Sequence, residues 1–126
     1  MLQKFQIEVS QFGNFSAVKE IFMHNDEITN YSSPTCFWGD RIPLYDRYDA
    51  IRLLDILLSK QIGVLGVEGF RIFDDRIQPD MDFIVDCSDS LLNNPNEFVR
   101  VSINGIRLFL SNAPEDMVFE FTISKM

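Results

Sequence analysis

Histidine occurs once in this sequence, at His24, and cysteine twice, at Cys36 and Cys87, with no Cys-x-x-Cys pair. Too few ligands are therefore available for a structural zinc site, and two reduced, half-buried thiols are expected instead of a disulfide framework. Long apolar runs are missing as well. No stretch approaches the length of a membrane span, and MLQKFQIEVS lacks the charged start and continuous apolar run of a signal peptide. A cytoplasmic location with no membrane association is the resulting expectation. Basic residues are scarce too, eleven against nineteen acidic, so nothing supplies the positive footprint that nucleic acid requires.

Catalytic constellations are equally sparse. The one nucleophilic arrangement available pairs His24 with Cys36 or a serine, but His24 sits in a polar His-Asn-Asp-Glu turn without an elbow motif. Asp74, Asp75, Asp80, Asp82 and Asp86 contain carboxylates enough for glycoside cleavage or a magnesium site, yet their spacing matches no metal loop. Gly63, Gly66 and Gly69 precede neither a helix start nor a Lys-Ser/Thr pair, so strand punctuation explains them better than a phosphate loop. No enzyme, no cofactor and no metal are expected.

What is present is an apolar chain. At 126 residues, 46% hydrophobic and with twelve phenylalanines, the sequence reads as one globular domain spanning 1–126 with an ordinary core. Its strongest pattern runs from Asp49 to Asp75. Arg52, Asp55 and Ser59 make one polar stripe, while Ala50, Ile51, Leu53, Leu54, Ile56, Leu57 and Leu58 fill the rest of a helix that must be covered on most sides. Gly63 is a plausible stop. Ile62 to Val67 then reads as a buried strand and Phe70 to Phe73 as a second short one, with Glu68-Gly69 as punctuation between them and Asp74-Asp75 as the following turn.

Elsewhere the pattern alternates. Leu2 to Ser10 is a half-buried strand, and Phe12 to Met23 leans to a short helix. From His24 to Tyr48 the chain is turn-rich but carries Tyr31, Phe37, Trp38, Tyr45 and Tyr48, so it either lies over the core as a lid or presents Trp38 as a partner-binding anchor. Met81, Phe83, Val85 and Cys87 define the core face of a strand whose other face carries Asp82 and Asp86. Asn94-Pro95-Asn96-Glu97 opens a helix, with Asn94 as cap and Glu97 reaching back. That helix buries Val99, Ile103, Ile106 and Leu110, with Phe98, Val101 and Phe109 widening the buried face, ends at Asn112 before Pro114, and holds Gly105, where close packing on a neighbour is expected. Met117 to Lys125 is a last one-sided strand. The class is α+β, a mainly antiparallel sheet with two principal helices packed against it.

Charge is unevenly spread. Between Gly66 and Glu97 there are eight acidic residues and two basic ones, so six of the eight excess negative charges lie there. An acidic surface meeting a basic partner protein is the functional interpretation; a merely solubilising surface is the bland one. The candidate contact residues are Glu68, Asp74, Asp75, Asp80, Asp82, Asp86 and Asp89, with Trp38 as anchor.

The run from Ala50 through Leu53, Leu54 and Leu57 to Ile62, Val64, Leu65 and Gly66 resembles the fortieth numbered family of polymorphic-toxin immunity proteins, in which a leucine-rich helix leads to an Ile-x-Val-Leu-Gly-Gly strand. The likeness continues through Asp82-Phe83-Ile84-Val85-Asp86 and into Phe98-Val99 with Ser102, covering Tyr48 to Leu110. It departs from the pattern at Val67, which intervenes before Glu68, and at Phe83, where the family carries Trp. The resemblance implies a cytoplasmic antitoxin that binds a cognate toxin domain encoded beside it. The competing expectation is a small ligand-binding or hydrolytic domain with a pocket under residues 31–48, and a third is a self-associating structural domain.

Overall fold

A computed structural model describes residues 28–124 except Asp40 and Asp75. The strand expected over Leu2 to Ser10, the helix over Phe12 to Met23, and His24 lie outside the described residues. Among them the fold is α+β: a hairpin of β1 (Cys36–Trp38) and β2 (Ile42–Leu44), helix α1 (Arg47–Ser59), strands β3 (Val64–Phe73) and β4 (Arg76–Asp86), helices α2 (Ser88–Asn93) and α3 (Phe98–Asn112), and strand β5 (Val118–Ile123). The larger sheet has the order β4-β3-β5, antiparallel throughout.

Helix α1 begins two residues before the expected Asp49 because Asp46 caps it, its Oδ1 accepting the Asp49 N–H at 2.8 Å. Thr35 braces this end, accepting the Asp46 N–H at 2.8 Å and donating its hydroxyl to Asp49. The other end corrects the expectation at Gly63. Gln61 takes the left-handed conformation at φ 60°, with its N–H on Leu58 O and the Ile62 N–H on Leu57 O, so the helix closes in a Schellman motif built on glutamine. Gly63 has a packing role: a Cβ there would lie 2.3 Å from the Phe98 ring, which covers the backbone at this point.

Residues Ile62 to Phe73 do not make two strands. β3 runs unbroken through Glu68-Gly69, and Gly69 marks close approach, since its Cβ would meet Met117 Cε at 2.6 Å and Phe83 Cβ at 3.1 Å. Helices α1 and α3 cover one face of this sheet. Leu53, Leu54 and Leu57 meet Ile103, Ile106 and Leu110 over Val64, Val67, Phe119, Phe121 and Ile123, all buried. At about 25 cal/mol per Å² of apolar surface, this burial is the main stabilising term. Arg107 on α3 reaches Asp55 on α1 at 2.6 Å, and the buried Ser102 hydroxyl accepts the Val64 N–H at 3.1 Å, tying α3 to the start of β3.

The expected capping box at Asn94 does not form. Pro95–Glu97 is a turn of 3-10 helix, Asn94 makes no side-chain cap, and Glu97 instead takes Arg100 Nε at 2.7 Å. Among the described residues Gly105 packs against nothing, with open space where its Cβ would be, and Val101, expected to widen the buried face, is exposed. An exposed mid-helix glycine costs about 1 kcal/mol relative to alanine, so Gly105→Ala is expected to raise stability by about that amount in urea titration. A loss of stability would show that a neighbour approaches there after all.

The aromatic segment 31–48 is a hairpin leading into the core. Gly39, at φ 61°, makes its turn. Tyr45 is fully buried, exchanges both backbone hydrogen bonds with Phe119, packs edge-on to Phe121 and donates its hydroxyl to Ser32 O at 2.9 Å. Phe37 and Tyr48 point outward. No helix among the described residues is long and apolar enough to cross a membrane.

Candidate functional site

The site is the outer part of the β3–β4 hairpin. β5 pairs with β3 only from Val64 to Phe70, so among the described residues Arg71–Phe73 and Arg76–Gln78 pair with each other alone and form a two-stranded arm. At 3.3 Å per residue the arm reaches about 10 Å past the sheet. Its root is irregular. Glu68 pairs with Ile84 but Phe70 with Pro79, so two steps on β3 face five on β4, and the surplus falls at Asp80, Met81 and Asp82. Pro79 is tolerated because β4 is an edge strand.

The bulge overturns the expected alternation. Phe83, Val85 and Cys87 pack on the core as anticipated, but Met81 is swung out and is 60% exposed. Asp80 turns the opposite way, with Oδ2 3.4 Å from Arg71 Nε and Oδ1 accepting the Asp82 N–H at 3.0 Å. Arg71 also holds Asp116 at 3.0 Å, which fixes the arm to the turn before β5. Ile72 and Phe73 are exposed on the arm, and the Arg76 guanidinium lies 5.5 Å from the centre of the Phe73 ring. Arg71, Phe73, Pro79, Asp80, Met81 and Asp82 line an open depression of about 460 Å³.

The expected carboxylates separate into three situations. Asp74 at the tip (φ 37°), Asp82 on the bulge and Asp89 in the first turn of α2 are exposed and have no hydrogen-bond or ion partner among the described residues. Asp80 and Asp86 have structural work: Asp80 orients Arg71, and Asp86 accepts the Ser88 N–H and hydroxyl at 2.8 and 2.6 Å ahead of α2. Glu68 is not on the acidic surface at all. It is buried in the central strand, opposite the equally buried Glu120 of β5. Asp75 lies outside the described residues. Asp82 and Asp86 are separated by about 13 Å of strand, so the acids form a line along the edge and not one knot. Trp38 is half-buried in the smaller sheet, cross-strand from Ile42. Sequence reasoning missed Ile72, Phe73 and Met81, because each fits a core pattern if the bulge and the arm are not foreseen.

Among the described residues no three His, Cys, Asp or Glu side chains could hold a metal ion. Both cysteines are free. Burial, then the nearby Asp86 carboxylate, pushes the Cys87 thiol up to about 11; burial, then Asp49, pushes the Tyr45 hydroxyl up to about 12; Cys36 is raised by burial and then Asp46. Each folded value exceeds the unfolded one, so the unfolded chain loses these protons first as pH rises. The associated stability is fully present below pH 9 and is lost across roughly pH 9 to 12, on the order of 2–3 kcal/mol each for Cys87 and Tyr45. The urea midpoint is expected to be level from pH 7 to 9 and to fall beyond, less steeply in Cys87→Ala; an identical fall in that variant would remove Cys87 from the account.

Fold and site together define an α+β protein whose acidic edge strand carries a projecting apolar arm. No protein-family model matches the chain, and no curated protein and no solved structure matches it either.

Proposed function

We propose that this protein is an immunity protein, which binds a cognate toxin domain of basic surface and neutralises it by covering its active site, without catalysis or a cofactor. The observation that carries this is the company Met81 keeps. Carboxylates along an edge strand deter sheet-to-sheet pairing, and a solubilising surface needs no more than that. An apolar side chain 60% exposed among them does the reverse, and with Phe73 it supplies an apolar centre beside charged groups, the anatomy of a protein-binding surface, while Ile72 is exposed on the other face of the arm. Asp74, Asp82 and Asp89, exposed and without a partner among the described residues, give the long-range attraction; the open part of Trp38 adds a second contact region on the other sheet. The likeness of Ala50 to Gly66 to immunity proteins points the same way, and two free cysteines fit a reducing cytoplasm.

The experiment is neutralisation in a bacterial host. Expression of the protein encoded beside this one should arrest growth, and co-expression of this chain should restore it. Arrest that this chain does not relieve, with both proteins present in soluble form, would overturn the proposal.

A further inference from the structure

The depression at the root of the arm has a charge balance and a shape that specify what enters it. Among the described residues Arg71 is the only cation lining it, and two carboxylates, Asp80 and Asp116, already face that one guanidinium. Asp116 lies outside the lining, so Arg71, Asp80 and Asp82, the last with no partner among the described residues, leave the rim one negative charge in excess. Phe73, Pro79 and Met81 supply apolar wall below that rim. An anion would meet net repulsion, and a purely apolar side chain would leave Asp82 uncompensated. A group with an apolar stem and a cationic head satisfies both parts: methylenes lie against Met81 and Pro79 while the head reaches Asp82, the same division of labour by which lysine and arginine cover apolar surface elsewhere.

We infer that this depression is a receptor for one lysine or arginine side chain projecting from a basic protein partner, with Asp82 as the residue that receives the cation and Met81 as the wall that holds its stem. The inference rests on the immunity function and specifies its contact. The bulge is what builds the receptor, because a regular β4 would place Met81 on the core face and Asp82 beside a strand neighbour.

The test needs no toxin. The isotope-labelled protein is titrated by NMR with the capped tripeptides Gly-Lys-Gly, Gly-Arg-Gly, Gly-norleucine-Gly and Gly-Glu-Gly. Amide shifts at Gln78, Asp80 and Asp82 should saturate in the millimolar range with the two basic peptides. They should weaken at least tenfold with norleucine and be absent with glutamate. Asp82→Lys should abolish saturation and Met81→Ser should weaken it severalfold; both residues are exposed, so both variants should keep the wild-type fold and thermal midpoint. Shifts that never saturate, that spread equally to Asp55 and Asp89, or that survive Asp82→Lys would overturn the inference. Growth neutralisation would be unaffected by that outcome, so failure of the receptor and failure of the immunity function are separable.

Discussion

Reversing Asp82 and Asp89 together to lysine is expected to slow association with a basic partner about 10- to 100-fold at low ionic strength. These two acids suit the experiment because their side chains are exposed and engaged by nothing among the described residues. Asp80 does not suit it. A lysine there would face Arg71 across the 3.4 Å now spanned by an ion pair, and the arm itself would move. Steering acts before contact, so the loss should appear in the association rate. Raising the salt to about 0.5 M shortens the screening length to a few ångströms and should bring the variant within a few fold of the parent. Stopped-flow or surface-binding kinetics at two salt concentrations measures this. Equal association rates at low salt would remove the acidic edge from the account.

Phe119→Ala should be the most destabilising single change among the core positions of β5, at about 3–5 kcal/mol, enough to lower the thermal midpoint by about 10–20 °C. Phe119 is fully buried, packs edge-on to Phe109 of α3 at 5.9 Å, and shares both backbone hydrogen bonds with Tyr45. Removing the ring leaves a cavity where the sheet, α3 and the β1–β2 hairpin meet. A midpoint lowered by less than about 4 °C, measured by calorimetry, would mean that the three elements are held together elsewhere. Tyr45→Phe is the matched mild change, because it keeps the ring and deletes only the hydroxyl bond to Ser32.

The parts of this fold legible in the sequence are those governed by a single period. Ala50 to Leu58 shows helical spacing and buries Ala50, Leu53, Leu54 and Leu57; Met117, Phe119, Phe121 and Ile123 alternate and all four are buried, but the strand is not one-sided as expected, since Glu120 and Ser124 on its other face are buried too. α3 falls where the spacing of Ile103, Ile106 and Leu110 places it, ending at Asn112. Local exceptions to a period were not legible. Glycine signals the end of a strand or close approach inside one, and at Gly69 only the positions of Met117 and Phe83 decide between them. Gln61 ended α1 in a conformation that glycine usually supplies, so Gly63 drew attention that belonged two residues earlier. Buried Glu68 and Glu120 are cross-strand neighbours in a pairing that residues more than fifty positions apart do not disclose.

The candidate site was legible as charge and illegible as shape. Eight acids between Gly66 and Glu97 marked the region, but the bulge at Asp80 to Asp82 decides which of them are free. It assigns Asp80 to Arg71, releases Asp82 and turns Met81 from an expected core residue into an exposed one. The reason is general. A bulge leaves no compositional trace once its residues are common strand residues, and Pro79 was the one local hint that β4 lay at an edge.

The most direct test of the central claim, that the acidic edge strand and its apolar arm bind a basic protein, is a calorimetric titration of this chain with the protein encoded beside it at about 50 mM and about 500 mM salt. A one-to-one complex is expected to weaken by at least tenfold between the two conditions, with most of the weakening lost in the Asp82, Asp89 double reversal. Absence of a complex at low salt, or an affinity that does not change with salt, would contradict it.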